Sequence, residues 1–180
     1  MGKKIILSIF FIIFLSVSFN VKAQEFENTP QKEPPVILLT LDKRNNWKLG
    51  DPLENKYIWA NQILLGSKNY QEASEVVSIS WLKSLPENVE LKQYFDTAVN
   101  SLNNAYSGQF NWKLISEQLD SIMIEVEEPG QHEIHKFMYG PYGIYIVFYT
   151  NKNPVFTPKE KKFWINKLKH VHFTGNTITD

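Results

Sequence analysis

The sequence predicts an α+β fold: a helical hairpin within a three-to-four-helix block, then a small antiparallel β-meander, then a C-terminal helix. Apolar residues recur at helical spacing over 91–105, apolar and charged residues alternate over 122–127, and a capping sequence begins at Thr157. The helical and strand patterns occupy separate parts of the chain. This segregation is typical of α+β proteins, in which helices and strands do not alternate.

The first elements are a short strand and two helices. Residues 36–41 form a brief apolar run with β-branched residues at its start, which favours a buried strand. Asp51 to Glu54 has the composition of a helix-capping sequence, with proline in the first turn, and predicts a helix that ends at Gly66. A second helix is predicted over residues 70–85, because Pro86 then interrupts the pattern.

This second helix resembles part of a known protein-binding repeat. Asn69-Tyr70-Gln71-Glu72-Ala73, followed by Pro86, resembles the second helix of a tetratricopeptide repeat, a helix pair that binds other proteins. Asn61 stands where that repeat has a small residue. The favoured interpretation of this region is therefore a plain antiparallel helical hairpin.

The third helix has the most regular pattern in the chain. Its apolar residues follow one another at steps of four and three, so they lie on a single face and are predicted to form core. A short fourth helix is predicted over residues 112–119. The residues of the apolar stripe are Leu91, Phe95, Ala98, Leu102 and Ala105, and Gly108 is expected to end the helix.

Beyond residue 120 the period of the pattern changes from helix to strand. Residues 122–126 alternate, and residues 144–149 are β-branched and aromatic throughout, which predicts a central strand. Proline and glycine mark the turns between strands. The predicted order is strand 122–126, turn 128–131, strand 132–138, turn 140–143, strand 144–149 and a helix that begins near Thr157 and carries Phe163, Trp164 and Leu168.

The N-terminal residues have the layout of a secretory signal peptide. Two lysines precede an apolar run over residues 5–19, and small residues precede a cut after Ala23. The run is shorter than the roughly 20 residues that span a bilayer, so cleavage is favoured over an uncleaved anchor. The expected organisation is a signal peptide at 1–23, a polar tail at 24–35 and one globular domain at 36–180. The mature protein is expected to be periplasmic or extracellular, without a membrane partner.

Composition narrows the classes of function. The chain has no cysteine and therefore no thiolate nucleophile or thiolate metal ligand. Its formal net charge of zero argues against a nucleic-acid partner, which would require a basic surface. Aromatic residues make up 14% of the chain, which indicates aromatic packing or an aromatic contact surface. No cofactor is expected.

Six aromatic residues lie within residues 137–149. Along a strand, alternate rings face opposite sides, so about half of them are expected to be core. Tyr139 and Tyr142 flank the predicted turn and are the candidate ligand-binding or partner-binding residues. We expect the partner to be a protein or a cell-wall glycan on which exposed rings can stack, with core or interface packing as the alternative.

The four histidines suggest an alternative metal site. His132, Glu133 and His135 form one group, and His170 and His172 form another; imidazole and carboxylate are common zinc and copper ligands. A strand would direct His132 and His135 to opposite faces, and a helix would separate His170 from His172.

Two function classes follow. The favoured one is an exported non-enzymatic binding or accessory protein of the bacterial cell envelope. The alternative is a small exported metal-dependent hydrolase that uses the histidine site. Metal content of the purified mature protein would distinguish them.

Overall fold

The structure is a computed structural model that describes residues 37–39, 41, 46–83, 85, 89–105, 111–128, 130–153 and 155–173. The predicted signal peptide, the polar tail, Gly108 and the last residues of the chain lie outside this description. Within it, no helix combines the length and the apolar character that crossing a membrane requires.

Eight of the described strands form one antiparallel sheet, and two more form a separate ribbon. The order across the sheet is β2-β4-β5-β9-β8-β7-β6, with β3 also paired to β4, and the ribbon consists of β1 and β10. The strands are β1 Ile37–Leu38, β2 Trp47–Leu49, β3 Leu53–Glu54, β4 Ile58–Leu65, β5 Glu75–Leu82, β6 Asn111–Glu117, β7 Ser121–Glu128, β8 Gln131–Gly140, β9 Gly143–Asn151 and β10 His172–Phe173. The helices are α1 Leu91–Ala105 and α2 Pro158–Lys169.

One helix covers each face of this sheet. Helix α1 packs on β7 and β8, and α2 packs on β8 and β9. The sheet residues divide accordingly: Phe137 and Phe148 belong to the apolar cluster with α1, whereas Tyr145 and Tyr149 belong to the cluster with α2. We call these two sides the α1 face and the α2 face. Because β9 is covered on both sides, residues 144–151 are all buried.

The coarse α+β class is confirmed, but the predicted helical block is wrong. The described residues form an antiparallel sheet of eight strands rather than a helical block followed by a small meander. The segments predicted as helices at 52–65, 70–85 and 112–119 overlap β3 and β4, β5, and β6, respectively. In β5, β-branched and aromatic residues at 77, 79 and 81 alternate with serines, which is a strand pattern. Because β5 is buried on both faces, apolar residues such as Val76 also occupy the face opposite residues 77, 79 and 81, and the alternation is less regular.

Side-chain hydrogen bonds within two turns explain why the first two predicted helices do not form. The Oδ1 of Asn55 accepts hydrogen bonds from the amides of Tyr57 and Ile58, which turns the chain from β3 into β4. The Oδ1 of Asn69 accepts from the amide of Gln71 in the same way, within the β4–β5 connection. The segment that resembles a tetratricopeptide helix is therefore a turn and a strand.

The other predicted elements are present, with differences in extent and burial. Within the predicted strand at 36–41, Ile37–Leu38 form β1. The stripe of α1 is buried at Leu91, Phe95, Ala98 and Leu102, as expected, whereas Ala105 at its end is exposed. The strands β7, β8 and β9 and the turn between β8 and β9 lie where the sequence placed them. Helix α2 begins with the predicted capping box, in which Thr157 and Glu160 exchange hydrogen bonds.

Candidate functional site

The two tyrosines predicted to bind a ligand have different surroundings. The hydroxyl of Tyr139 accepts a hydrogen bond from the amide of Leu91 at 2.5 Å and donates to the carbonyl of Val89 at 3.2 Å. It therefore satisfies one of the free amides at the start of α1. Its ring is 38% exposed, but its polar group holds the helix in place.

Tyr142 lies in the β8–β9 turn and packs on a tryptophan of β5. The rings of Tyr142 and Trp81 are 5.4 Å apart and tilted by 46°, and Trp81 Nε1 donates to the Tyr142 carbonyl at 3.1 Å. Trp59 is the cross-strand neighbour of Trp81 and is only partly buried. Tyr142 is 38% exposed. We call Trp59, Trp81 and Tyr142 the aromatic platform.

A layer of buried rings supports the platform. Tyr145 stacks on Trp81 with the ring planes 15° apart, and Phe173 of the terminal ribbon meets Tyr145 edge-on at 4.6 Å. A side chain at Gly140 would overlap both Phe173 and Tyr145, so glycine permits this close packing. Burial raises the pKa of Tyr145, which keeps its hydroxyl neutral.

An ion pair lies beside the platform. Lys83 Nζ donates to Glu54 Oε1 at 2.6 Å, and both side chains are partly exposed. The same ammonium group lies 5.8 Å from the centroid of the Trp81 ring. Glu54 is the cross-strand neighbour of Trp59. The platform thus combines exposed ring surface with one positive and one negative group.

A second polar group of residues is enclosed on the α1 face. His135 Nε2 and Glu133 Oε2 form a 2.6 Å hydrogen bond, and the other Glu133 oxygen accepts from Thr150 Oγ1 and Gln131 Nε2, each at 3.1 Å. We call these four residues the buried network. The His135 side chain is 1% exposed. The imidazole lies nearly parallel to Phe148, with centroids 5.1 Å apart.

Lys152 lies at the end of this network. Its ammonium group donates to the carbonyl of Tyr70 and lies 3.6 Å from the centroid of the Tyr70 ring. Burial lowers the pKa of Lys152 to about 8, and the nearby charge of Glu133 opposes that shift. A general base must be within reach of its substrate, and the buried network is enclosed by the fold. Its hydrogen bonds instead satisfy polar groups that would be costly to bury without partners.

No sequence pattern identified Thr150 and Gln131 as members of the network. The available signal was the two-residue spacing of Glu133 and His135, which places both on one side of a strand. Thr150 joins them only through the pairing of β8 with β9. That contact is set by strand register rather than by local sequence.

The five residues of the predicted metal site lie in three places. Glu133 and His135 are together in the buried network, whereas His132 points to the α2 face and packs on Phe156 at 5.5 Å. His170 Nδ1 bonds to the carbonyl of Asn166 at 2.7 Å, and His172 bonds to the carbonyl of His170. Across the described ranges, no three histidine or acidic side chains converge as metal ligands would.

Comparison with protein-family models, with curated proteins and with solved structures finds no match to this chain.

Proposed function

We propose that this chain is an exported, non-enzymatic binding or accessory protein of the bacterial cell envelope, and that its partner contacts the aromatic platform. The observation that carries the proposal is the Tyr142 ring, which is partly exposed although it packs on Trp81. A ring held in this way presents apolar surface that is already ordered. Ligands bind more tightly to such surfaces because less conformational entropy is lost.

The setting of the platform favours recognition over passive packing. The Lys83–Glu54 pair supplies polar contacts at its side, and a few polar groups around an apolar surface are what binding sites use to orient a ligand. The hydrolase alternative has no comparable support, because its five residues are divided among three separate places.

The location is tested through the predicted signal peptide. Mass spectrometry of the native protein should identify Gln24 as its first residue, in the periplasmic or extracellular fraction. Recovery of the chain with Met1 intact in the membrane fraction would contradict export by cleavage.

The binding role is tested with isolated cell-envelope material. The mature protein should be retained on this material, and Tyr142→Ala should lose most of the retention because it removes the exposed ring. Phe163→Ala is the matched control, since Phe163 is 39% exposed on α2 and its ring contacts Trp164 of the same helix rather than a platform residue. Equal retention of the two variants would remove the platform from the proposal.

A further inference from the structure

We infer that the aromatic platform binds a neutral carbohydrate, with a pyranose ring stacked on Tyr142. This inference rests on the proposed binding function and adds the chemical class of the ligand. The platform offers ring surface, an adjacent ion pair and a ring N–H that is already bonded, and each of these features selects among ligand classes.

The ring surface suits a ligand with one apolar face. Tyr142 and Trp59 are partly exposed, and Trp81 packs behind Tyr142 at 5.4 Å. The face of an aromatic ring carries negative charge density. A pyranose presents a face of C–H groups, which are weakly positive, and its hydroxyls project outward around that face. Stacking therefore buries the apolar part of the sugar and leaves its hydroxyls at the edge of the platform.

The ion pair suits hydroxyl groups and disfavours a charged ligand. Lys83 Nζ has three donors, one of which goes to Glu54 Oε1 at 2.6 Å. A sugar hydroxyl can accept from the ammonium group and donate to a carboxylate, so it can bond to the pair without separating it. An anionic ligand would be attracted by Lys83 but repelled by Glu54. The local charges therefore complement a neutral ligand rich in hydroxyls.

The bonded tryptophan N–H argues against a proline-rich peptide, which also docks on aromatic surfaces. The carbonyls of a peptide need donors when they are buried. Trp81 Nε1 already donates to the Tyr142 carbonyl at 3.1 Å, within the turn that carries the tyrosine itself. A peptide would have to break this bond to use the donor, whereas a sugar stacked on Tyr142 leaves it intact.

Titration of the mature protein with defined oligosaccharides tests the inference. Tryptophan fluorescence and NMR should detect binding of chitotetraose or cellotetraose, and weaker or no binding of the anionic tetragalacturonate. Tyr142→Ala should weaken binding at least about tenfold, equivalent to about 1.4 kcal/mol. Tyr142→Phe should retain it, because the ring remains. Phe163→Ala should bind as the unaltered protein does.

A second variant tests binding independently, in case Tyr142→Ala prevents the protein from folding. Lys83→Met keeps an apolar stem beside Trp81 but removes the donors, so it should weaken sugar binding while its thermal unfolding stays cooperative. If no neutral oligosaccharide binds, or if decaproline binds in a Tyr142-dependent way, the carbohydrate inference is overturned. Retention on envelope material that still depends on Tyr142 would then preserve the binding function alone. If retention on envelope material also does not depend on Tyr142, both the carbohydrate inference and the proposed binding role of the platform are overturned.

Discussion

On the α1 face the buried pair Glu133–His135 bonds within the sheet, whereas on the α2 face buried Lys136 and Glu125 bond to α2 or to the residues just after it. A third buried group on the α2 face, Glu75, accepts a hydrogen bond from Tyr149 within the sheet. Glu133 and His135 pair two residues apart along β8. On the opposite side, Lys136 donates to the carbonyls of Lys169 and Val171 at the end of α2, and Lys161 of α2 pairs with buried Glu125.

The two helices differ in how much apolar surface they bury. Helix α1 buries six side chains, so apolar packing is enough to hold it. Helix α2 buries only Trp164 and Leu168, with Trp164 stacked on Tyr149 at 3.9 Å. A cation near the carbonyl end of a helix is favourable, and Lys136 occupies that position. We infer that α1 is held mainly by apolar packing, with one polar anchor at Tyr139, whereas α2 relies more on its polar anchors to the sheet.

The largest expected effect on stability comes from removing a side chain that packs α1 against the sheet. Phe95 is buried against Phe137 and Trp112, with ring centroids 5.3 and 5.6 Å away. Phe95→Ala should lower the free energy of unfolding by about 3–5 kcal/mol, because it leaves a cavity in the core. Urea denaturation measures the change. A loss below about 1 kcal/mol would mean that α1 is not held by this packing.

Disruption of the buried network should have the next largest effect. Glu133→Gln keeps the size of the side chain but replaces the carboxylate with a neutral amide, so the network loses its negative group and one of its two accepting oxygens. We expect a loss of about 1–3 kcal/mol in unfolding free energy. Glu127→Gln on neighbouring β7 is the control, because Glu127 is exposed. If both variants lose the same amount, the network adds no specific stability.

Loss of the α2 cap should cost less. Thr157 accepts from the amide of Glu160, and the Glu160 carboxylate accepts from the amide of Thr157. Thr157→Ala should lower the unfolding free energy by about 1 kcal/mol. Hydrogen exchange should show the loss as faster exchange in the first turn of α2, with α1 unchanged. Uniformly faster exchange in both helices would mean that α2 does not open on its own.

A small effect of opposite sign is expected at Ser80. Its hydroxyl is fully buried on the α1 face, and within the described residues it has no hydrogen-bond partner. Ser80→Ala should raise the unfolding free energy by up to about 1 kcal/mol, because it removes a buried polar atom that lacks a partner. Thermal unfolding measures the change. A clear loss of stability would indicate that the hydroxyl is bonded in solution.

A pH dependence of stability is expected from Lys152. Its pKa is about 8 in the folded chain and about 10.5 for an exposed lysine. Between these values the unfolded chain binds the proton and the folded chain does not, so this group makes stability rise as pH increases. The unfolding free energy of the unaltered protein should therefore rise from pH 8 to 10.5 relative to Lys152→Met. A constant difference across that range would contradict the lowered pKa.

The sequence by itself determined the elements that local signals specify. The stripe of α1 contrasts buried with exposed positions, the apolar and charged residues of β7 follow the period of a strand, and the capping box at Thr157 bonds within a few residues. Such local signals do not depend on the rest of the fold. The strand prediction for residues 132–138 likewise placed His132 and His135 on opposite faces, as the structure has them.

Only the tertiary structure decided the nature of residues 52–82 and the composition of the sites. Strand β5 lies between β4 and β9 with both faces covered, so apolar residues also occupy positions between those of its alternating pattern and weaken the contrast that identifies a strand. The aromatic platform joins Trp81 to Tyr142 across elements far apart in sequence, and the buried network joins Thr150 to Glu133 across the β8–β9 hairpin. Register and sheet order create these contacts, because strand pairing brings together residues that no local pattern relates.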